Sequence, residues 1–250
     1  MQKEAFVDTL GMDCMKIVSP GNSAKECVFR QLALRAGVGT FSVCDLACGS
    51  GSVWPAYLVD HPNVSYVGFD TDASAIHVAQ EKCAHLPNAT FRVADAQTLH
   101  ADASSFDIVT AFSALEHVVR IDKFLDTVFA LLKPSGRAYL NFDNGHFHSH
   151  DVKERLMVPV SQLLARAGIE GPYMKEVDDA EVLRMIRERG GEIVGTWKHN
   201  MPALKKMAKT HKAPAVLEAW FAFEDRLNEV LTPEQLSPLM GSTTIVMQRV

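Results

Sequence analysis

The sequence predicts an α/β protein with a mostly parallel sheet and helices on both faces. Two observations carry this. Short β-branched or aromatic runs alternate with helix-patterned stretches from Ser42 to Phe142, the order that βαβ units impose. The first run, Val43-Cys44-Asp45, also passes straight into a loop of small residues, Leu46-Ala47-Cys48-Gly49-Ser50-Gly51. Glycines there allow backbone angles closed to other residues and let a ligand approach the main chain at the carboxyl end of a parallel strand.

The elements follow in order. A helix is expected from Ala24 to Ala36, capped by Asn22 or Ser23 and closed by Gly37. Strands are expected at Ser42–Asp45, Ser65–Asp70, Thr90–Val93, Asp107–Ala111 and Arg137–Phe142. Helices are expected between them at Val53–Val59, Ala73–Ala84 and Ile121–Leu132. Lys133-Pro134-Ser135-Gly136 stops the last of these, because proline and glycine oppose helix continuation. The alternation then slows. A histidine-rich turn precedes a helix at Asp151–Ala167, and a second helix, Asp179–Arg189, leads through Gly190-Gly191 into a strand at Glu192–Trp197. Proline-punctuated helical sequence fills Lys198 to Ser242 before a last strand, Thr243–Val250. So long a connection predicts helical insertion rather than structureless loop. The chain thus reads as a single domain, 1–250, with inserts 144–175 and 198–242 forming a substrate cap.

Bulk properties narrow the function classes. A length of 250 residues suits one large α/β domain, and 47% hydrophobic with 22% charged residues is ordinary for a globular protein. The net charge of −5 argues against a nucleic-acid partner, since phosphate binding favours a basic surface. Met1 to Leu10 has no apolar core of signal-peptide length, and no stretch approaches the roughly 20 apolar residues of a membrane span, so no membrane partner is expected. The cysteines, Cys14, Cys27, Cys44, Cys48 and Cys83, are odd in number and form no CxxC pair, which predicts a reduced, cytoplasmic protein.

The glycine loop by itself is a weak signal. Trp54 stands where the third glycine of a dinucleotide fingerprint would be, which lowers the case for NAD. Acids at successive strand ends raise the case for another nucleotide-type ligand. Asp70 closes the second strand, where a carboxylate can accept both hydrogen bonds of a ribose diol, and Asp95 follows the third, placed to meet an adenine amino group. Any one of these acids could be a turn or cap residue. Three in this register favour a ligand site.

The segment Asp45 to Gly51 resembles the first motif of the class I S-adenosylmethionine (SAM) methyltransferases. Phe106 to Val118, ending Leu115-Glu116-His117-Val118, resembles their fourth motif, with Leu131-Leu132-Lys133-Pro134-Ser135-Gly136 after it. The resemblance runs from Val43 to Asn141. It implies a three-layer α/β/α Rossmann-like fold with a mostly parallel seven-stranded sheet and an antiparallel last strand. It also implies SAM as cofactor: Asp45, Ala47, Cys48, Gly49 and Gly51 at the methionine part, Asp70 and Thr71 at the ribose, Asp95 and Ala96 at the adenine, and Phe112 beside them.

Methyl transfer from SAM needs an aligned nucleophile and, for some acceptors, a base. Histidine suits the second role because it titrates near neutrality. His117 lies just past the fourth strand, with a packing role as the plainer alternative. His146 and His148, with His150, lie past the fifth, at the expected acceptor side. Alternating histidines also suggest a metal, but no acid or cysteine cluster completes a shell, so none is expected. Lys205, Lys206, Lys209, His211 and Lys212 read as a solvated helix face, and Trp220, Phe221 and Phe223 as cap packing.

The leading expectation is a methyltransferase acting on an oxygen or nitrogen of a small molecule. A nucleic-acid or protein methyltransferase is disfavoured by net charge. It is also disfavoured by Ala111-Phe112-Ser113-Ala114, which stands where a motif for planar amine nitrogens would be. A SAM-binding protein that transfers nothing stays open.

Overall fold

The computed structural model describes residues 23–51, 53–99, 104–145, 152–166, 169, 173–204 and 214–250. The elements, in chain order, are α1 (Ser23–Ala36), β1 (Phe41–Leu46), α2 (Trp54–Asp60), β2 (Val64–Asp70), α3 (Ala73–Lys82), β3 (Ala89–Val93) and β4 (Phe106–Ala111). A 3₁₀ turn (Leu115–His117), α4 (Ile121–Leu131), β5 (Leu132–Asp143), α5 (Val152–Arg166), α6 (Asp179–Glu188), β6 (Gly191–His199), α7 (Pro214–Val230), α8 (Pro233–Leu236) and β7 (Ser242–Arg249) complete it. The expected cap residue Asn22 lies outside the described residues.

The seven strands form one sheet in the order β3-β2-β1-β4-β5-β7-β6. β1 to β5 pair in parallel, and β7 runs antiparallel to both β5 and β6. The chain reverses spatial direction after β1, so the carboxyl ends of β1 and β4 flank the switch point where such sheets take ligands.

Each sheet face carries its own core, because side chains alternate along a strand. One face joins Leu140, Phe142 and Ile245 to Phe124, Leu125 and Val128 of α4 and Ile186 of α6. The other joins Val43, Tyr66, Tyr139 and Val246 to Phe29 and Leu32 of α1, Trp54 and Tyr57 of α2, and Ile76 of α3. On α4 the apolar residues Ile121, Phe124, Leu125, Val128 and Leu131 recur at helical spacing and are buried. The helix ends as Leu132 turns extended, at φ −69 and ψ 135.

One boundary differs from the sequence expectation. Lys133-Pro134-Ser135-Gly136 is not a turn ahead of β5 but an irregularity inside it. β4 pairs Phe106 with Leu132 and then Ile108 with Arg137, so the four residues loop out opposite Asp107. Ser135 takes a left-handed φ of 62, and a Cβ on Gly136 would stand 2.9 Å from the Lys133 carbonyl. Proline without an N–H and glycine without a Cβ are what such a bulge tolerates.

The later insertion is helical in its described part, as expected. It is tied to the β6 edge and to α1. Glu224 of α7 accepts from Asn200 N at 3.1 Å and Met201 N at 2.7 Å, and Asn228 pairs with the Lys198 backbone in both directions at 2.7 Å. Arg30 of α1 meets Asp225 at 2.6 Å. Trp220 packs with Leu217 against Leu204 and Phe221, but Phe223 is exposed, a departure from the expected packing role, because it lies on the outward side of α7.

Candidate cofactor and acceptor site

The loop after β1 is folded by left-handed backbone at Ala47, Gly49 and Gly51 (φ 59, 55 and 65). Glycine takes such angles freely, and alanine there is a strained conformation that the surrounding bonds hold. Cys48 N donates to Phe69 O at 3.0 Å, and Gly51 N to Cys48 O at 3.1 Å. The two glycines differ in surroundings. A Cβ at Gly51 would meet Phe91 Cε1 at 2.8 Å, whereas one at Gly49 would meet nothing within 4 Å. Gly51 is thus packed against β3, and Gly49 borders open space.

The three acids have distinct environments. Asp45 is buried, and its carboxylate takes three donors: Thr110 Oγ1 at 2.7 Å, Trp54 Nε1 at 2.7 Å and Tyr66 Oη at 3.1 Å. Burial pushes it up to about 6, against the opposing pull of these hydrogen bonds and of the Lys25 ammonium. Trp54, at the position of the missing third glycine, is therefore a ligand of Asp45. Sequence reading did not single out this shell; a buried-sized aromatic nine residues after a buried acid was the available signal.

Asp70 lies at the lip of the loop. Its Oδ2 accepts from Gly49 N at 2.7 Å and its Oδ1 from Asp72 N at 2.9 Å. Each carboxylate oxygen has a second lone-pair direction for a further donor. Thr71 beside it is exposed, and Asp72 instead caps α3 by accepting from Ser74 N and Ala75 N. Asp95 uses Oδ1 to accept from Gln97 N at 2.8 Å, and Gln97 in turn accepts from Arg120 N. Ala94 N donates to Asp70 O at 2.9 Å, so these two strand ends are stitched together. Ala96 is half-buried and packs against the α4-side core, while Phe112 is buried, 6.1 Å from the Phe29 ring, with Lys25 Nζ 5.9 Å from its centroid.

Beyond β4 the turn presents Glu116 inward and His117 outward. His117 Nδ1 lies 3.1 Å from Tyr173 O. A carbonyl can only accept, so Nδ1 is the donor, and in the neutral ring Nε2 carries the lone pair. Glu116 is buried at 1% exposure; its Oε1 accepts from Asp143 N at 3.2 Å, and its Oε2 has no partner among the described residues. Burial, with the Asp143 charge adding, pushes its carboxyl up to about 8. The resemblance assigned it no role, and only tertiary burial makes it distinctive. His146, His148 and His150, and the lysine-rich stretch from Lys205 to Lys212, lie outside the described residues. Among the described residues, no group of three His, Cys, Asp or Glu side chains could hold a metal.

Residues 43–136 match the family model described as Methyltransferase domain. This segment is similar to methyltransferase domains. It begins in β1 and ends in the bulge of β5, so it contains the glycine loop, all three acids and the His117 turn. A ubiquinone biosynthesis O-methyltransferase of Coxiella burnetii is 31% identical over 109 residues, 43% of this chain and 46% of that protein. A trans-aconitate 2-methyltransferase of Variovorax paradoxus is 26% identical over 144 residues, 58% of this chain and 51% of that protein. The chain therefore spans about half the length of these curated relatives. Among solved structures, a putative methyltransferase in complex with the Haloferax volcanii Trm112 activator has a TM-score of 0.62 at 17% identity, covering 99% of this chain and 93% of that one. The [4+2]-cyclase SpnF has a TM-score of 0.58 at 18% identity, covering 89% and 80%. These likenesses extend the Rossmann-like fold beyond the matched domain, to β6 and β7.

Proposed function

We propose that the chain is a SAM-dependent methyltransferase acting on an oxygen or nitrogen of a small molecule. The observation that carries it is the lip formed by Asp70 and Gly49. A carboxylate with spare lone pairs stands beside a glycine whose missing side chain leaves open space, at the carboxyl edge of the sheet. The donor set fits the cofactor: Asp70 would accept from the ribose diol, with Thr71 next to it. Asp95 would accept from the adenine amine, with Ala96 against the ring. Ala47, Cys48, Gly49 and Gly51 shape the methionine end, and Phe112 walls it. Asp45, held by Trp54, Tyr66 and Thr110, would act there through the loop it fixes and through its charge.

SAM supplies a methyl group already activated on a sulfonium. The protein's part is to align the acceptor and exclude water, which can contribute on the order of 7–11 kcal/mol. His117, whose Nε2 lone pair is free to take a proton, is the assigned base, with His146 and His148 as further acceptor-side candidates. Such a base contributes on the order of 10²–10⁴-fold.

A small acceptor is supported by the two long inserts, by the net charge of −5, and by the small-molecule names of the matched relatives. The inserts 144–175 and 198–242 are assigned as the cap over it, and a cytoplasmic location belongs to the same reading. No helix among the described residues is long and apolar enough to cross a membrane. A second reading is a SAM-binding protein that transfers no methyl.

Two measurements test the proposal. Calorimetric titration with S-adenosylhomocysteine (SAH) should show binding that Asp70→Ala weakens at least tenfold while the thermal unfolding profile keeps its cooperativity. Unchanged affinity would remove Asp70 from the ribose. Incubation with SAM and a pool of hydroxylated and aminated small molecules should release SAH. Tight SAH binding without turnover of any acceptor favours the second reading.

A further inference from the structure

A cleft of about 430 Å³ opens beside the His117 turn, lined by Val119, Gln162, Ala165, Arg166, Tyr173 and Lys175. That volume is within the range that holds a small molecule. One wall is the end of α5, and the other is the segment that leads into α6. The second wall is bonded to the turn itself: Lys175 N donates to Glu116 O at 2.8 Å, and His117 Nδ1 meets Tyr173 O. This wall of the cleft is therefore fixed to the turn that carries His117.

Its lining is cationic in a chain of net negative charge. Arg166 and Lys175 both face it, and among the described residues no carboxylate does. Lys175 Nζ stands 3.7 Å from Glu181, a long and half-exposed contact that an incoming anion can replace. Among the described residues no carboxylate lies within salt-bridge distance of Arg166. Gln162 is fixed across the cleft by donating to Met174 O at 3.3 Å. Val119, Ala165 and Tyr173 supply an apolar surface between the charges.

We propose that this cleft binds the methyl acceptor by a carboxylate, which makes the substrate class a small organic acid with an apolar or aromatic body. The inference rests on the methyltransferase reading for the word acceptor, but the anion site itself does not. Arg166 offers a planar fork that matches a carboxylate in two parallel hydrogen bonds, and Lys175 adds a point charge on the opposite wall. A neutral isostere keeps the apolar contact and loses both.

The test uses a matched pair of probes, 3,4-dihydroxybenzoate and its neutral carboxamide, titrated calorimetrically into the full chain with and without saturating SAH. The carboxylate should bind at least tenfold more tightly than the amide. That preference should shrink as sodium chloride rises from 50 to 500 mM. Arg166→Gln with Lys175→Gln should bring the ratio near one while SAH affinity stays unchanged, which also shows that the variant is folded. Equal binding of the two probes, no binding of either, or a preference that survives the double substitution overturns the proposal. Failure of SAH to bind, with the carboxylate preference intact, sinks the methyltransferase reading and spares the anion site.

Discussion

Replacing Glu116 by glutamine should change the pH dependence of stability more than stability itself. The glutamate is buried, has one hydrogen bond to its Oε1 from Asp143 N, and has an unpartnered Oε2 among the described residues. Its folded carboxyl titrates at about 8 against an ordinary 4.5, chiefly because burial penalises the charge. Below pH 4.5 both folded and unfolded chains carry the proton, and the favourable term is fully present. Between 4.5 and 8 the unfolded chain has lost the proton and the folded chain keeps it, so stability falls as pH rises. The interval from 4.5 to 8 is 3.5 pH units, and each unit corresponds to about 1.4 kcal/mol, so the loss is at most about 5 kcal/mol. Glu116→Gln keeps an acceptor for Asp143 N and cannot ionise. Urea unfolding of both proteins from pH 5 to 9 should show near parity at pH 5 and a glutamine variant more stable by several kcal/mol at pH 8.5. A difference that does not change with pH refutes the account of a buried, protonated Glu116.

Further outcomes follow from the loop and its supporting shell. Gly51→Ala forces a Cβ to 2.8 Å from the Phe91 ring at a φ of 65. It should destabilise by about 2–4 kcal/mol in urea unfolding, from the left-handed strain and the overpacking together. Gly49→Ala has open space around the new Cβ, so it should cost only about 1–2 kcal/mol of stability. SAH binding should nevertheless fall more than tenfold, because the methyl group occupies the ligand side of the loop. Asp45→Asn sets a buried amide N–H₂ against the donors Trp54, Tyr66 or Thr110. It should lower stability by about 1–3 kcal/mol for the bond it breaks, read as a lower Tm in calorimetry; an unchanged Tm would mean that the three donors find other acceptors.

Much of the fold was legible because it depends on local pattern. β1 to β4 and the helices between them are short apolar runs of period two and stretches of period 3.6, bounded by glycine, proline and aspartate, and these patterns survive into the structure. The bulge at Lys133 to Gly136 was not legible. Proline and glycine signal a break but do not say whether the chain resumes in the same strand, which the pairing of Phe106 with Leu132 decides. The two exposed and buried fates of Phe223 and Trp220 likewise depend on which side of α7 faces its neighbours.

At the candidate site the sequence by itself determined the loop, the acids at three strand ends and the turn at His117, because strand ends and glycines are local marks. Only the tertiary structure decided what each group is. Asp45 and Asp70 are the same residue type at the carboxyl ends of neighbouring parallel strands, yet Trp54, Tyr66 and Thr110 bond the first while the second stays at the lip beside Gly49. Glu116 and His117 are adjacent in the chain, yet one is buried beside Asp143 and the other turns outward to Tyr173. Arg166 and Lys175 come to line one cleft because Tyr173 and Lys175 are bonded to the turn opposite the end of α5. Burial and hydrogen bonding are set by neighbours distant in sequence, so the loop that announces a nucleotide-type ligand could not announce the cationic cleft beside the His117 turn.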